Sequence, residues 1–397
     1  MSAGLKFADT LSCKLEIPWR CHGFPAPRLQ CRQPGSSGLE GPLMRLATPS
    51  GFATEVFLLE RPDRDLLPEG PWTLLGDACL RNAWITAGMP EPAHALWVTV
   101  PEEEKILRSL IPWLEHWARV PLHRDATVVA LGGGVLTDLT GLAASLYLRG
   151  VAWQVWPTTL LAMADAALGG KTGADLAAGK NLVGAFHFPR RLVACTDFLT
   201  SLPERQLQNG RWELVKTALI QGELAWAMDM LQDGPLKLAW VERALAFKAG
   251  VVHRDPREAG ERRLLNLGHT LGHALEAASG YQLLHGEAVG LGLLGACLLA
   301  EEQGLKPFPA SLLDTLTRRL APLAPMVAPW PDCLPLLARD KKAARSSGHT
   351  EKAPTVEIQC ILPRPNEPAV QRALPPQAWA ATHARLLSML HQESLRA

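Results

Sequence analysis

Apolar runs alternate with glycine turns and helical patterns in the first half of the chain. Residues 127–131 (TVVAL) are apolar and largely β-branched, which is typical of a strand buried on both faces. Glycines occupy positions 132–134, and a helical pattern follows over 135–148. A second strand is predicted at 151–156, and another apolar helix from Thr158. This repeat of strand, glycine turn and helix predicts a doubly wound α/β half.

The pattern changes near residue 200. Upstream of the α/β repeat, short apolar runs at 72–75 and 95–100 alternate with turns, and a helix is predicted over 102–117. Downstream, long amphipathic patterns dominate, and no convincing strand interrupts them before 355–362. These patterns predict helices at 204–232, 236–254, 264–279, 285–304 and 309–321. The interpretation is an irregular extension at 1–50, an α/β domain at 51–200 and a helical domain at 201–397.

Composition agrees with a two-domain protein and excludes several classes. The chain has 397 residues, 47% of them hydrophobic, and a net charge of +1, so nucleic acid and anionic membranes are not expected partners. No apolar stretch is long enough for a bilayer, and no signal peptide is expected. The eight cysteines contain no C-x-x-C pair, which favours free thiols and a cytoplasmic location.

Two glycine-rich segments are candidates for phosphate binding. Glycines 132–134 precede a helix, where a phosphate can approach the backbone, although a tight structural turn explains them equally well. Lysines stand beside glycines at 169–173 and 179–181, which suggests anion binding or, alternatively, a solvated loop. Neither segment matches a complete nucleotide-binding motif.

One carboxylate and two histidines are candidate metal ligands. His269 and His273 lie four residues apart in a predicted helix, and His285 begins the next helical pattern. Glu213 is an acidic residue between apolar neighbours. Glu213, His269 and His285 would form a three-ligand catalytic zinc site with an open position. Histidine pairs on helices are more often structural, but the flanking glycines at 268 and 272 favour a site.

Seven segments, in order along the chain, resemble the 3-dehydroquinate synthase family. They are residues 130–134, 157–161, 169–173, 179–186, 213–216, 265–276 and 285–289. The resemblance implies an α/β fold in which a Rossmann-like NAD-binding domain precedes an all-α metal-binding domain, with the active site in the cleft. It also implies a homodimer with a small sugar phosphate as substrate, and no nucleic-acid or membrane partner.

The resemblance also implies roles for individual residues. Zn²⁺ or Co²⁺ would be bound by Glu213, His269 and His285. NAD would contact Asp77, Glu102, Lys105, Gly133, Gly134, Asp138, Thr158, Thr159, Lys180, Asn181, Phe198 and Ser201. The substrate would be handled by Arg149, Asp165, Lys171, Asn181, Lys216, Lys248, Glu258, Arg262, Asn266, His273 and Lys341. The family reaction converts 3-deoxy-D-arabino-heptulosonate 7-phosphate into 3-dehydroquinate and phosphate. It combines transient oxidation by NAD, phosphate elimination, re-reduction and intramolecular aldol closure.

The chain departs from the family pattern at Thr137, where glycine is usual at the end of the nucleotide turn. We expect its Cβ to push the helix over 135–148 away from the strand and to weaken NAD binding. Three alternatives remain at this point: a related sugar-phosphate cyclase, a metal-dependent alcohol or glycerol dehydrogenase, and a non-catalytic derivative of the family. The matches at Lys248, Asn266 and His273 argue against the first, and the many lysines argue against the second.

Overall fold

The polypeptide forms two compact units. The computed structural model describes residues 42–47, 51, 53–120, 122–339, 343–344 and 357–396. The first unit contains the described residues up to Leu207 and returns for the segment Pro235–Arg257. The second unit contains Gln208–Gly234 and the described residues from Glu258 onward. The chain therefore enters the first unit twice.

A parallel sheet is the centre of the first unit. Its described strands are β1 (Met44–Ala47), β2 (Ala53–Leu59), β3 (Trp72–Asp77), β4 (Leu96–Val98), β5 (Thr127–Gly132), β6 (Ala152–Pro157), β7 (Lys171–Leu176), β8 (Gly179–Phe186) and β9 (Arg191–Cys195). Seven of them form one sheet in the order β1-β2-β9-β6-β5-β3-β4, in which β1 alone is antiparallel to its neighbour. The remaining two, β7 and β8, form an antiparallel hairpin.

Eleven α-helices occur in the described residues. They are α1 (Arg81–Thr86), α2 (Ile111–Arg119), α3 (Gly134–Leu146), α4 (Glu204–Gln221), α5 (Leu224–Met230), α6 (Leu238–Arg254), α7 (His269–Ala278), α8 (His285–Glu302), α9 (Ala310–Leu320), α10 (Trp330–Arg339) and α11 (Pro376–Ser394). Among these helices, none has the length and apolar content that crossing a bilayer requires. The predicted α/β first half and helical second half are both confirmed.

Strand β5 lies between β3 and β6 and is buried on both faces, as its sequence predicts. Val128, Val129, Ala130 and Leu131 have no exposed surface. Each fully buried valine or leucine side chain contributes about 1.5–3 kcal/mol from burial. The strand is therefore fixed in the sheet, and so is the position of the glycine turn that follows it.

Three predicted helices begin or end elsewhere in the structure. The helix expected over 102–117 is replaced by 3₁₀ turns at Glu102–Glu104 and Leu107–Leu110 before α2. Ile106 is extended there because it pairs with Asp175 in β7. The pattern 204–232 breaks at Gly222, whose φ is +74°. The pattern 264–279 breaks at Gly268, so α7 begins at His269.

The helix predicted from Thr158 is short and ends in the π-helical turn Ala162–Ala166. Hairpins account for further differences from the sequence prediction. For residues 171–186 the sequence allows either an anion-binding segment or a solvated loop. In the structure these residues form strands β7 and β8. In the second unit, β10 (Ala343–Ala344), β11 (Glu357–Arg364) and β12 (Glu367–Leu374) form a small antiparallel sheet. Only β11 is predicted from its pattern. The second unit is therefore helical with one added sheet.

Candidate metal and cofactor sites

Helix α4 carries Glu213 inside the second unit. The side chain is 1% exposed, so its carboxylate is removed from water. Lys216, one turn further along α4 and equally buried, forms an ion pair with Glu213 Oε2. Apart from that ion pair, neither carboxylate oxygen has a hydrogen-bond partner in the described structure. A buried carboxylate with open lone pairs is suited to a cation.

His269 is the first residue of α7, and the turn before it determines where its ring points. Gly268 has a φ of +78°, and a Cβ at this position would lie 3.0 Å from the carbonyl oxygen of Val289. His269 Nδ1 lies 3.1 Å from the Leu267 carbonyl oxygen. Because a carbonyl only accepts, Nδ1 carries the proton and the lone pair of the neutral ring stands on Nε2, the nitrogen that can act as a ligand. His269 Nε2 is 3.7 Å from Glu213 Oε1.

His285 is the first residue of α8, and Asn209 fixes the beginning of that helix. The Asn209 side chain on α4 accepts a hydrogen bond of 2.6 Å from the Gly286 amide. A Cβ on Gly286 would overlap the Asn209 backbone, so only glycine permits this approach. No motif or spacing in the sequence points to Asn209. This bond links the helix that carries Glu213 to the helix that carries His285.

Glu213, His269 and His285 converge, as predicted from the sequence. Nε2 of His285 is 3.8 Å from Glu213 Oε1, and the ligand atoms of all three residues lie within 4.8 Å of one another. Two imidazoles and one carboxylate form the donor set of catalytic zinc sites with an open position. Together with the unsatisfied Glu213 oxygens, this donor set fits a divalent cation such as Zn²⁺ or Co²⁺.

The neighbours of His285 raise its pKa. Burial by itself lowers the pKa, but the hydrogen bond and charge of Glu276, together with the charge of Glu213, outweigh burial. The His273 ring centroid lies 5.2 Å from that of His269 and 5.8 Å from that of His285. His273 therefore stands beside the candidate metal site, with its imidazole exposed.

Other predicted substrate residues in the second unit lie on the segment before α7. Asn266 Nδ2 donates to Glu258 Oε1 over 2.7 Å. Glu258 has a φ of +61°, an unusual conformation for a side-chain-bearing residue and one found often at functional sites. Arg262, in the 3₁₀ turn Glu261–Asn266, is only 2% exposed. Lys341 lies outside the described residues.

Predicted NAD contacts in the first unit form a polar network around the buried Lys105. Lys105 Nζ donates to Asp138 Oδ2 over 2.6 Å and to Asn181 Oδ1 over 2.8 Å. Lys180 pairs with Glu102 over 2.9 Å on a more exposed side. Burial lowers the pKa of Lys105, but the charge and hydrogen bond of Asp138 outweigh burial and raise it. Lys105 is therefore protonated at neutral pH.

Asp175 holds this network in place, and the sequence analysis does not single it out. Its backbone amide donates to the Lys105 carbonyl, and its carboxylate accepts from the Asn181 amide, both over 2.6 Å. Asn181 has a φ of +52°, which this carboxylate contact stabilises. The β7–β8 hairpin is thereby joined to the segment that carries Lys105.

Glycines at the carboxyl end of β5 lie beside threonines at the end of β6. The Thr158 amide donates to the Gly132 carbonyl over 3.0 Å. A Cβ at Gly133 would lie 3.1 Å from Thr159 Cγ2, so glycine keeps this cradle open. Gly133 caps α3 without a side-chain hydrogen bond, and Gly134 begins the helix. Free amides at a helix N-terminus at this edge of a parallel sheet fit a dinucleotide pyrophosphate.

Three other predicted NAD contacts make different interactions. Asp77 accepts a hydrogen bond of 3.1 Å from the Cys79 amide at the end of β3. Phe198 is 4% exposed and belongs to the hydrophobic core of the first unit. Ser201 donates over 3.4 Å to the Phe198 carbonyl. Their positions after β3 and β9 are at the same edge of the sheet as the glycine turn.

Besides Asn181, the first unit contains four predicted substrate residues. Lys248 on α6 pairs with Asp165 Oδ1 over 2.7 Å and contacts the Asp165 carbonyl. Asp165 belongs to a π-helical turn, Ala162–Ala166, a rare element that is frequent at functional sites. Lys171 begins β7 and is exposed. Arg149 is exposed on a turn where residues 148–150 all have positive φ.

Comparisons with known proteins agree with this arrangement. Residues 95–209 match the family model for the N-terminal part of 3-dehydroquinate synthase, and residues 210–343 match the C-terminal model. The 3-dehydroquinate synthase of Symbiobacterium thermophilum is 45% identical over 259 residues, covering 62% of this chain and 72% of that protein.

Solved structures show the same fold. A 2-epi-5-epi-valiolone synthase from Streptomyces hygroscopicus subsp. jinggangensis 5008, with NAD⁺ and Zn²⁺ bound, has a TM-score of 0.71 at 26% identity. The superposition covers 85% of this chain and 97% of that chain. A 2-deoxy-scyllo-inosose synthase complexed with carbaglucose-6-phosphate, NAD⁺ and Co²⁺ has the same TM-score at 23% identity, covering 86% and 99% of the two chains. Both family models match, and the Symbiobacterium thermophilum enzyme is 45% identical, so the chain belongs to the 3-dehydroquinate synthase family.

Proposed function

We propose that this protein is a 3-dehydroquinate synthase, a lyase that depends on NAD and a divalent metal. It converts 3-deoxy-D-arabino-heptulosonate 7-phosphate into 3-dehydroquinate and phosphate in the shikimate pathway. The observation that carries the proposal is the convergence of Glu213, His269 and His285 in a chain that is 45% identical to a curated 3-dehydroquinate synthase.

The second unit supplies the metal ligands in this proposal. Glu213, His269 and His285 hold Zn²⁺ or Co²⁺, and a bound ion of this kind polarises substrate oxygens and makes a coordinated hydroxyl more acidic. Lys216 orients the Glu213 carboxylate through their ion pair. His273, beside the ligands, is placed to exchange a proton with the substrate.

The first unit supplies the NAD site in this proposal. The glycine turn at Gly133 and Gly134 receives the pyrophosphate, and the network of Lys105, Asp138 and Asn181 orients the dinucleotide. NAD held by these residues would supply a reversible hydride acceptor for the reaction and would not be consumed overall. Glu102, Lys180, Thr158 and Thr159 complete the cofactor contacts.

The remaining polar residues are assigned to the substrate. Lys171, Lys248, Arg149 and Arg262 supply positive charge, which suits a phosphate and a carboxylate. Asp165 keeps Lys248 oriented, and Glu258 does the same for Asn266. These pairs pre-organise donors for substrate hydroxyls before binding. Lys341 is assigned to the substrate from the family resemblance.

The alternative cyclases and dehydrogenases have weaker support. The two cyclases of other product specificity are only 23% and 26% identical, against 45% for the curated 3-dehydroquinate synthase. A polyol dehydrogenase would not need the cationic residues of both units, because its substrate carries no phosphate.

A homodimer in the cytoplasm is part of the proposal, and light scattering of the purified protein tests its subunit number.

The experiment is phosphate release from the heptulosonate phosphate, measured with and without a chelator while absorbance at the NADH band is followed. We expect release that stops on chelation, returns with Zn²⁺ or Co²⁺, and leaves no accumulated NADH. Net NADH formed from glycerol or another simple polyol would establish a dehydrogenase instead. Absence of phosphate release from metal-loaded, NAD-loaded protein would reject the proposal.

A further inference from the structure

The imidazole of His285 faces a polar partner at each nitrogen. Nε2 lies 3.8 Å from Glu213 Oε1, and Nδ1 lies 3.3 Å from Glu276 Oε2. An ionised carboxylate only accepts hydrogen bonds, so this contact is satisfied when Nδ1 carries the proton. The lone pair of the neutral ring then stands on Nε2, on the side of Glu213 and His269.

His285 needs such a partner more than His269 does. The His285 side chain is 32% exposed, whereas that of His269 is 9% exposed and is held by the Leu267 carbonyl. A partly exposed imidazole can rotate or change tautomer unless its second nitrogen is fixed. Glu276, 3% exposed, is rigidly placed on α7, the helix that His269 begins.

We propose that Glu276 is a positioning residue: it fixes the tautomer and orientation of His285 and so sets the metal affinity of the Glu213, His269 and His285 site. This inference rests on the ligand set of the proposed function. The interaction crosses from α7 to α8, so it also sets the distance between the two histidine-bearing helices. Partners of metal-bound histidines commonly act in this way.

Glu276 also belongs to a second group of possible ligands. His273, Glu276 and His285 have ligand atoms within 4.8 Å of one another. A neutral imidazole offers a single lone pair, so His285 can bind one ion and cannot serve both groups at once. His285 Nε2 faces Glu213, which is more buried than Glu276. This favours a single ion bound by Glu213, His269 and His285, with Glu276 orienting the His285 ring.

The test uses cobalt as the probe. Metal-free full-length protein is titrated with Co²⁺ against a chromophoric chelator, and the visible spectrum of the bound cobalt is recorded. Glu276→Ala is expected to bind cobalt about 10- to 100-fold more weakly and with an altered spectrum. Glu276→Gln retains an oxygen that accepts from Nδ1, so it is expected to restore much of the affinity and the spectrum. Circular dichroism checks the fold of each variant.

Glu301→Ala is the matched control, because it removes a partly buried carboxylate from the far end of α8. Its cobalt affinity and spectrum are expected to equal those of the unaltered protein.

Unchanged cobalt binding in both Glu276 variants would overturn the positioning role alone. Two bound ions in the unaltered protein and one in Glu276→Ala would make Glu276 a ligand and overturn it as well. No cobalt binding by the unaltered protein would reject the ligand set itself. If Glu276→Ala does not fold, Glu276→Gln decides: a small, measurable loss of cobalt affinity is expected because the amide forms a weaker bond than the carboxylate, and affinity and spectrum equal to those of the unaltered protein would overturn the positioning role.

Discussion

Lys105 and Asp138 form a 2.6 Å ion pair although 33 residues separate them in the sequence. The Lys105 side chain is 9% exposed and that of Asp138 is 19% exposed, so water screens the pair poorly. Lys180 and Glu102, in the same region, form a pair whose side chains are 29% and 50% exposed. The two pairs allow the effect of burial to be separated from that of charge.

Replacing Lys105 with alanine is expected to lower the free energy of unfolding by about 3 kcal/mol, because the Asp138 carboxylate stays buried without its partner. Lys180→Ala is expected to lower it by less than about 1 kcal/mol, since that pair is solvated. Urea denaturation measures both. NAD affinity, measured calorimetrically, should fall in both variants; equal stability losses would contradict the role of burial.

Cys79 gives a pH-dependent prediction at the edge of the NAD site. Partial burial, then the hydrogen bond to Asp77 and the charge of that carboxylate, raise the pKa of the Cys79 thiol to about 11. At pH 8 only about one thiol in a thousand is then ionised. Its alkylation by iodoacetamide should therefore be slow and should accelerate as the pH rises toward 11. Peptide mass spectrometry follows this site separately from the other cysteines.

Asp77→Asn should speed alkylation of Cys79 at pH 8 several-fold, because removal of the charge lowers the thiol pKa. Asp63→Asn is the matched control, since Asp63 caps a neighbouring 3₁₀ turn in the same way without a thiol beside it. An equal rate in Asp77→Asn and the unaltered protein would show that burial alone determines the pKa.

Gly292→Ala is expected to destabilise the second unit by about 1–3 kcal/mol, because its Cβ would overlap the backbone of Gly268, next to His269. This exceeds the gain of about 0.5–1 kcal/mol that alanine ordinarily brings to a helix. Gly295→Ala, in the same helix, meets the flexible end of Leu271 and should be milder. Thermal unfolding and bound-zinc content measure the difference; identical values would contradict the close α7–α8 contact.

Thr137→Gly tests whether threonine in the nucleotide turn harms NAD binding. Thr137 lies inside α3, 1% exposed, and its hydroxyl donates to the Gly134 carbonyl over 3.1 Å. Glycine there should cost about 0.3–0.5 kcal/mol of stability through lost helix propensity, since threonine is itself a weak helix former. We expect NAD affinity to change less than about twofold, because the helix already accommodates the side chain. A large gain in affinity would support the displacement of the helix expected from the sequence.

Local patterns predicted the elements whose environment is uniform. The all-apolar pattern at 127–131 identified β5 because both of its faces are buried. The helix predicted over 102–117 is wrong in its first part. The residue pattern is helical, but the Ile106 backbone pairs with Asp175 of a hairpin distant in sequence. Residue spacing carries no information about such a partner. The same reason explains why β7 and β8 were not foreseen.

At the candidate metal site, the sequence identified residue types whose chemistry is distinctive. Glu213, His269 and His285 are unusual among apolar neighbours, and the structure brings them together. Asn209, Asp175 and Glu276 were missed because polar residues of these types are common on surfaces. Their importance comes from contacts across elements: Asn209 with Gly286, and Glu276 with His285.

The return of Pro235–Arg257 to the first unit constrains how this protein can be divided. A gene cut at residue 207 would encode a leading fragment without α6, and therefore without the lysine that pairs with Asp165. The trailing fragment would carry that helix as a long insertion between two parts of its own unit. A single crossover that exchanges the first unit between relatives would therefore leave that unit without α6. A chimaera with a complete first unit needs three matched junctions, after residues 207, 234 and 257.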